Sequence, residues 1–448
     1  MTVRSDGLNH FPPDGRLIGL GLALVAVLYL TISPLALGVL GFNYDETGGA
    51  FYEKIHPATF LAVGVLLFAA MFWHNAITSV LEALEAYPGT FVFLATIGVA
   101  IAHSIVNLGL PFTFFFDTFV GPVLIFFLFK DMRAQRAMRF VWLVHTLIVV
   151  NALVGIFEYA TGARLTPLVA SGLVIDEDWR STALLGHPLS NASLTGAYIL
   201  MLALGAGRNL PSIFVVGGFV ISTAGMVVFG GRASSVLLLV MLAAIGAVQA
   251  IRIFRGARFN TRTLLIALFA VPVVGLALVG LAEAGVFDQF LERFVDDQGS
   301  ADTRVEMFEL FKHLSWYELF FLPNPDQLTT LKRIYGIEFG IESLWISFIL
   351  TYGIVPAVIL FAGLFAFCRD LVRAIEPGGL WVLAFFFIVA STSVSLSAKT
   401  PLFAVLTLML LVLMRRDVAV SRPAAPADGH YAQNAARQFR PRHSLSSS

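Results

Sequence analysis

One arginine stands where two long apolar segments meet, in the run Phe229-Gly-Gly-Arg-Ala-Ser-Ser-Val236. Charge is costly at the edge of a membrane segment, so an arginine at this position indicates a bound anion. The guanidinium of Arg232 can form two parallel charge-assisted hydrogen bonds with a phosphate, and the two preceding glycines let the backbone approach the same anion. The alternative is an arginine whose long side chain reaches the lipid headgroups.

Other side chains suited to anion or sugar chemistry precede further apolar segments. Arg180 and His187 come shortly before one such segment, and Arg304 lies in a long polar stretch. With Arg232, these arginines would form a diphosphate site that needs no metal. Glu342, at the start of another segment, is the candidate general base or the acceptor that orients a sugar hydroxyl. Its alternative role is to stabilise the N-terminus of a helix.

Three histidines and one aspartate are weaker candidates. His313 lies in the same polar stretch as Arg304, whereas His103 and His145 lie inside apolar segments and are predicted to be packed or hydrogen-bonded in the core. Asp117 lies one turn into an apolar segment, and a carboxylate there is a functional candidate by default.

The composition predicts a membrane protein. Of 448 residues, 58% are hydrophobic and 13% are charged, and the mean hydropathy is +0.83. Apolar runs of about 20 residues recur along the chain, and each is long enough to cross a bilayer. Basic and acidic residues number 29 each, so no global basic surface indicates a nucleic-acid partner. The single cysteine, Cys368, excludes an intrachain disulfide and a thiolate metal cluster.

The apolar runs predict an all-α, polytopic membrane domain over residues 1–416, with about twelve transmembrane helices. The number falls to eleven if the run from Gly378 to Met414 is one re-entrant segment plus one span. The predicted spans are Leu17 to Leu40, Pro57 to Trp73, Thr90 to Val106, Phe112 to Phe129, Ala137 to Tyr159, Ser190 to Ala206, Pro211 to Phe229, Ala233 to Ile251, Thr263 to Leu281, Ser343 to Phe367, Gly378 to Ser395 and Pro401 to Met414. The tail, 417–448, has a composition typical of disorder.

Basic residues in the short connections predict the orientation. They follow the fourth, eighth, tenth and last predicted spans: Lys130, Arg133, Arg136, Arg252, Arg255, Arg258, Arg262, Arg369, Arg373, Arg415 and Arg416. By the positive-inside rule this side is cytoplasmic, and both termini lie there.

Two longer loops fall on the opposite, external side, Thr161 to Leu189 and 282–342. The second is far longer than an ordinary connection and is expected to be functional. Within it, the spacing of apolar residues from Asp302 to Leu314 predicts an amphipathic helix at the membrane surface, ended by a turn at Pro323-Asn324-Pro325-Asp326.

Four segments, in this order, resemble a known family. They are Arg180 through His187-Pro188 to Asn191, Gly231-Arg232-Ala233-Ser234-Ser235, Asp302-Thr303-Arg304, and Glu342-Ser343-Leu344-Trp345 followed by Thr351-Tyr352-Gly353-Ile354. Their order and topology are similar to those of the O-antigen ligase and Wzy-type polysaccharide polymerase superfamily of bacterial inner membranes. The resemblance covers about Arg180 to Phe367.

This resemblance implies a metal-independent glycosyltransferase, without a cofactor, acting on the periplasmic face of the inner membrane. The donor would be a polyprenyl-diphosphate-linked glycan and the acceptor a sugar hydroxyl on another lipid-linked repeat unit. Membrane lipid and a chain-length regulator or flippase of the same pathway would be its partners. The implied catalytic residues are Glu342 and Arg232, and the implied diphosphate and glycan ligands are Arg180, His187, Arg232, Arg304 and His313.

Glu342 favours one branch of this superfamily. The ligase branch commonly carries a histidine in this region, so a glutamate favours a polymerase of exopolysaccharide or O-antigen over an O-antigen ligase. A secondary transporter is the alternative from another class, because twelve spans with internal termini suit that architecture too. Transporters of this kind are built from two matching halves and carry polar groups at the bilayer midplane. This chain shows no matching halves and few midmembrane charges. A non-catalytic assembly or sensory protein is the third alternative.

Overall fold

The computed structural model describes residues 15–44, 48–72, 75–170, 173–175, 178–256, 306–337, 340–394 and 396–416. Within these ranges the protein is helical apart from one small antiparallel hairpin, formed by β1 (Val169–Ala170) and β2 (Leu173–Val174). The predicted all-helical class is confirmed at this level.

Most helices of the described residues follow the predicted apolar runs, whereas Ala76–Ala86, Trp316–Phe320 and Pro325–Ile334 lie outside them. The helices are α1 (Arg16–Thr31), α2 (Pro34–Val39), α3 (Pro57–Ala70), α4 (Ala76–Ala86), α5 (Pro88–Leu108), α6 (Thr113–Phe129), α7 (Ala134–Thr161), α8 (Pro188–Ala203), α9 (Ser212–Phe229), α10 (Arg232–Phe254), α11 (Trp316–Phe320), α12 (Pro325–Ile334), α13 (Leu344–Tyr352), α14 (Ile354–Ala374), α15 (Gly379–Ala390) and α16 (Leu402–Leu413). A π turn, Phe116–Val120, interrupts α6, and 3-10 turns occupy Phe51–Lys54 and Leu310–His313.

Among the described residues, five helices are long and apolar enough to cross a membrane: α5, α7, α9, α10 and α14. Five shorter helices are also apolar, namely α1, α3, α6, α15 and α16. These helices support a membrane protein. The predicted ninth span, Thr263 to Leu281, and the predicted disordered tail, 417–448, lie outside the described residues, so the total of twelve spans stays a prediction.

Two predicted spans are each divided into two helices. The first breaks before Pro34, which has no backbone N–H, and Ser33 caps α2 by accepting a 3.0 Å hydrogen bond from the Ala36 N–H. The tenth breaks at Gly353, where φ is +92° and the sequence pattern alone shows an unbroken apolar run. The backbone of Phe320, in α11, lies against this glycine.

Gly353→Ala is expected to lower the free energy of unfolding by about 1–3 kcal/mol, because alanine is strained at this φ. The added methyl would also lie 3.0 Å from the Phe320 carbonyl oxygen. Thermal unfolding in detergent measures the change. Gly98→Ala is the matched control, because Gly98 lies inside α5 with open space around it, and alanine there should be neutral or slightly stabilising. Equal unfolding temperatures for the two variants would contradict the prediction.

One end of the helix bundle, here named the basic end, joins three connections and the end of α16. These are residues 130–134, 204–211, 374–379 and 413–415. Ile375 pairs with Arg415 in an isolated β-bridge, and Arg415 donates a hydrogen bond to the Met132 carbonyl. Arg208 forms a 2.7 Å ion pair with Glu376. The connections between α6 and α7, α8 and α9, and α14 and α15 therefore meet beside the end of α16.

The opposite end, here named the polar end, comprises residues 31–34, 178–188, 229–232, 391–394 and 396–402. The Ser181 N–H donates a 3.2 Å hydrogen bond to the Val228 carbonyl, which ties the loop before α8 to the end of α9. Gly186 lies in contact with Ser33, at the end of α1. Helices α8 and α10 both begin at this end, and both run toward the basic end.

Residues 306–337 form a small helical module that packs on α13. Met307 and Leu310 are buried in an apolar cluster with Leu328 and Leu331 of α12 and with Leu350 of α13. The sequence predicted that an amphipathic helix from Asp302 to Leu314 lies on a membrane surface. Residues 302–305 lie outside the described residues, and part of the apolar face of 306–314 is covered by protein. Hydrophobic spacing alone does not distinguish these two surfaces.

The predicted turn at Pro323 to Asp326 begins a helix rather than ending one. The Asn324 side chain accepts hydrogen bonds from the Asp326 and Gln327 N–H groups, at 3.0 and 3.3 Å, and thereby caps α12. Pro325 occupies the first turn of α12, where its missing N–H costs nothing.

Candidate functional site

Arg180 lies against the turn that joins α9 and α10. A Cβ atom on Gly230 would lie 2.9 Å from both Cγ and Cδ of Arg180 and 3.0 Å from the Trp179 ring. Gly230 has a φ of +62°, so the turn requires a residue that tolerates the left-handed region and that has no side chain. The aliphatic part of Arg180 therefore packs on the backbone two residues before Arg232.

Asp178 holds the guanidinium of Arg180 in place. The Arg180 Nε donates to Oδ1 and Oδ2 of Asp178 at 3.0 and 2.9 Å, and Nη2 donates to Oδ2 at 2.5 Å. Each side chain is only 16% exposed, which makes the pair stronger than a surface ion pair. Sequence reasoning missed Asp178, although an acidic residue two positions before an arginine was a signal available to it.

His187 caps the N-terminus of α8 with its ring. Its Nδ1 accepts a 3.2 Å hydrogen bond from the Leu189 N–H, so the ring proton of the neutral imidazole is on Nε2. Burial lowers the pKa of His187 to about 4; the Arg180 guanidinium adds to this effect, and Asp178 opposes it. At neutral pH, His187 is therefore an uncharged donor, suited to a sugar or phosphate oxygen rather than to proton abstraction.

His187→Asn is expected to flatten the pH dependence of stability between pH 6.5 and about 4. The native pKa of His187 lies below the usual 6.5, so the unfolded chain binds more protons in this range and stability falls as the pH falls. Asparagine keeps a capping acceptor but does not titrate. Relative to the variant, the wild type should lose stability as the pH falls through this range, so the difference between the two unfolding temperatures should change steadily with pH. Parallel curves over the whole range would contradict the expectation.

Glu158, near the end of α7, holds the loop that carries Arg180 and His187. Its Oε2 accepts hydrogen bonds from the Thr182 and Ala183 N–H groups at 2.9 and 2.8 Å, and its Oε1 accepts one from Leu165 at 2.8 Å. The carboxylate is 2% exposed. A buried charge is tolerated when hydrogen bonds satisfy it. Glu158 therefore fixes the backbone of the loop before α8 through hydrogen bonds. This residue was not identified from the sequence.

Two asparagines also hold the loop before α8 in place by hydrogen bonds. Asn151 of α7 accepts a 3.0 Å hydrogen bond from the Leu184 N–H and donates a 2.8 Å hydrogen bond to Asn191 of α8. Asn191 donates in turn to the carbonyls of Thr182 and His187. The residues from 178 to 187 are therefore held by side chains from two helices, a condition for placing Arg180 precisely.

Arg232 is the first residue of α10. It follows Gly231, which packs against Ala192 of α8, and it is partly buried. The first turn of α10 contains no acidic residue, so the partial positive charge of the helix end adds to that of the guanidinium. Arg232 and Arg180 thus belong to one positively charged turn region at the polar end. In the part of the chain that the structure describes, no three His, Cys, Asp or Glu side chains cluster as metal ligands.

The remaining predicted site residues lie on other segments. Glu342 precedes α13, and its neighbour Ile341 accepts a 3.1 Å hydrogen bond from Ser397 in the connection before α16. His313 is bonded to the Tyr335 hydroxyl at 2.7 Å, inside the helical module 306–337. Arg304 lies outside the described residues. The structure therefore brings together Arg180, His187 and the turn of Arg232, and it places Glu342 and His313 on separate segments.

The histidines inside apolar helices have structural partners. His103, which is partly buried, is bonded to the Tyr352 carbonyl at 3.0 Å, and the buried His145 is bonded to the Tyr198 hydroxyl, as the predicted hydrogen-bonded roles require.

Asp117 lies in the π turn of α6 as a fully buried carboxylate. It accepts hydrogen bonds from the Tyr44 and Thr59 hydroxyls at 2.7 and 2.6 Å and from the His56 backbone N–H at 3.0 Å. These bonds connect α6 to α3 and to the chain before it. Asp117 therefore joins helices, and its hydrogen bonds leave it poorly suited to act on a substrate.

Comparison of the chain with protein-family models, with curated proteins and with solved structures gave no match. The family resemblance therefore stays a prediction that depends on the four sequence segments.

Proposed function

We propose that the protein is a membrane glycosyltransferase that polymerises polyprenyl-diphosphate-linked oligosaccharide repeat units into exopolysaccharide or O-antigen. The observation that carries the proposal is the packing of Arg180 on the Gly230 turn, which begins the helix of Arg232. Two arginines in one rigid turn region, beside a helix N-terminus, are a suitable arrangement for a diphosphate.

The position of this turn region supports a reaction at the outer boundary of a bacterial inner membrane. The basic end gathers Lys130, Arg208 and Arg415, and the positive-inside rule assigns such an end to the cytoplasm. Arg180 and Arg232 lie at the opposite end, which would then face the periplasm. A polyprenyl diphosphate has its charged group at this boundary and its hydrocarbon chain in the bilayer.

The proposed reaction breaks the bond between the anomeric carbon of the donor sugar and the diphosphate oxygen. The acceptor hydroxyl forms the new bond to that carbon, its proton passes to Glu342, and polyprenyl diphosphate leaves with the bonding electrons. Arg232 and Arg180 stabilise the charge that develops on the leaving group. Asp178 orients Arg180 in the absence of substrate, and His187 donates a hydrogen bond from Nε2 to the glycan or the diphosphate.

A secondary transporter fits these observations less well. Transport needs polar groups at the bilayer midplane, between the halves of the protein. Here His187 and Arg232 lie at helix ends, and Arg180 packs on the turn between α9 and α10. An O-antigen ligase would share the diphosphate chemistry and differ only in its acceptor, so it is the closer alternative.

Purified protein in liposomes, supplied with lipid-linked repeat units and a metal chelator, tests the proposal. We expect a ladder of longer lipid-linked glycans. Growth that stops in the chelator and returns with a divalent cation would contradict a metal-independent mechanism. Transfer only to an added lipid acceptor, without a ladder, would indicate the ligase alternative, and uptake of solute without transfer would indicate a transporter.

Glu342→Gln is expected to slow chain growth by about 10²–10⁴-fold, the usual contribution of general acid–base catalysis, while donor binding is retained. Glutamine keeps the size and hydrogen-bonding capacity of the side chain but cannot accept the proton. Glu309→Gln, which alters a carboxylate of the module 306–337 paired with Lys312, is the matched control. Wild-type rates for Glu342→Gln would reduce Glu342 to a residue that stabilises the start of α13.

A further inference from the structure

A cavity of about 460 Å³ opens between α1 and α7, next to the basic end and far from the Arg180 region. Three arginines line it: Arg16 at the start of α1, and Arg136 and Arg139 in the first two turns of α7. Arg136 reaches across to α1, since its Nε lies 4.0 Å from the position that a Cβ atom on Gly19 would take. The two helices therefore share one cavity that is lined by arginines.

The local electrostatics of this cavity favour a bound anion. Both helices begin beside it, and neither has an acidic residue in its first turn. A helix N-terminus carries a partial positive charge, which disfavours nearby cations and favours nearby anions. An anion in the cavity would interact favourably with both helix ends and with the arginines that line the cavity.

The rest of the cavity lining is apolar. Leu20, Ala23, Phe140 and Leu143 follow the arginines along the same two helices, and α7 is long and apolar enough to cross a membrane. Leu20 is 67% exposed in the isolated protein, so the apolar part opens onto the outer surface of the bundle. A ligand that fits has a phosphate at one end and hydrocarbon at the other.

We propose that this cavity binds the headgroup of an anionic phospholipid, with the phosphate among Arg16, Arg136 and Arg139 and an acyl chain along Leu20 and Leu143. A basic pocket between membrane helices, on the side rich in arginine, is a known arrangement for anionic lipid. The site is separate from the proposed diphosphate region in position and in chemistry, and it would hold a lipid in place rather than react with it.

Native mass spectrometry of the full-length protein, exchanged into mild detergent with defined lipids, tests the proposal. The probe is phosphatidylglycerol, with phosphatidylcholine as the neutral comparison. We expect the wild-type protein to retain phosphatidylglycerol selectively and Arg136→Gln/Arg139→Gln to bind it at least about tenfold more weakly. The matched control is Arg252→Gln/Arg255→Gln, two exposed arginines with the same spacing at the end of α10.

The outcomes distinguish specific binding in the cavity from non-specific attraction of the lipid to surface arginines. Equal weakening in both double variants would overturn the proposal, because any arginine near the surface would then be sufficient. Displacement of the lipid by an equimolar amount of inorganic phosphate would also overturn it, because the apolar wall would then contribute nothing. Arg139→Gln alone alters an exposed side chain and provides a folded variant if the double variant does not fold. No glycan substrate is used, so the result is independent of the proposed polymerase activity.

Discussion

Arg232→Ala is expected to slow the growth of lipid-linked glycan by about 100-fold or more, the usual cost of removing one group that stabilises transition-state charge. The departing diphosphate gains charge as the glycosidic bond breaks, and Arg232 adds its own charge to the positive end of α10. Arg232→Lys should recover part of the rate, because lysine keeps the charge but cannot form the two parallel hydrogen bonds. Chain growth in liposomes, measured as product length against time, gives both rates.

The control for Arg232 is Arg208→Ala, which removes a mostly exposed arginine at the basic end. Its rate should match wild type, and the unfolding temperatures of all three variants should be close to the wild-type value. Wild-type chain growth in both Arg232→Ala and Arg232→Lys would eliminate the diphosphate role and favour a non-catalytic assembly or sensory protein.

Glu158→Ala is expected to cause the largest loss of stability among the single substitutions considered. It would leave the N–H groups of Leu165, Thr182 and Ala183 without their acceptor. Each buried donor left unsatisfied costs about 1–3 kcal/mol, so a total loss of several kcal/mol is expected. The change should also reduce chain growth, because the loop that it releases carries Arg180. Thermal unfolding in detergent measures the first effect, and the liposome assay the second.

Two further variants distinguish this role from a general effect of removing a glutamate. The unfolding temperature of Glu158→Gln should lie between those of wild type and Glu158→Ala, because glutamine offers one acceptor oxygen where the carboxylate offers two. Glu85→Ala, at an exposed position of α4, should change the free energy of unfolding by less than about 0.5 kcal/mol. If Glu158→Ala and Glu85→Ala unfold at the same temperature, Glu158 does not stabilise the loop before α8 as proposed.

Asp178 changes the interpretation of Arg180. From sequence, Arg180 was one of three arginines available to neutralise a diphosphate. In the structure, Asp178 engages it through Nε and Nη2. A carboxylate so placed fixes the guanidinium plane, and it must also share Arg180 with any incoming anion. The net positive charge of the region therefore depends more on Arg232 and the helix end than the sequence indicated.

The helices were largely predictable because long apolar runs have few alternatives in a membrane. Predicted spans five, seven and eight coincide with α7, α9 and α10 to within about three residues at each end. The break at Gly353 was not predicted. Glycine is tolerated inside membrane helices, and the backbone of Phe320 and Phe321, 33 and 32 residues earlier in the chain, lies where a Cβ atom at position 353 would stand.

The sequence by itself determined the class of the protein, the positions of most helices and the residue types suited to an anion, because hydrophobic length and charge are local properties. It identified Arg180, His187 and Arg232 individually. The tertiary structure decided that Arg180 packs on the Gly230 turn, that Asp178 pairs with it and that Glu158 holds their loop. The packing on the Gly230 turn and the hydrogen bonds of Glu158 connect segments that no periodicity relates, so only the folded arrangement of α7, α8, α9 and α10 could establish them. Asp178 is two residues from Arg180 in the sequence, but only the structure shows that their side chains pair.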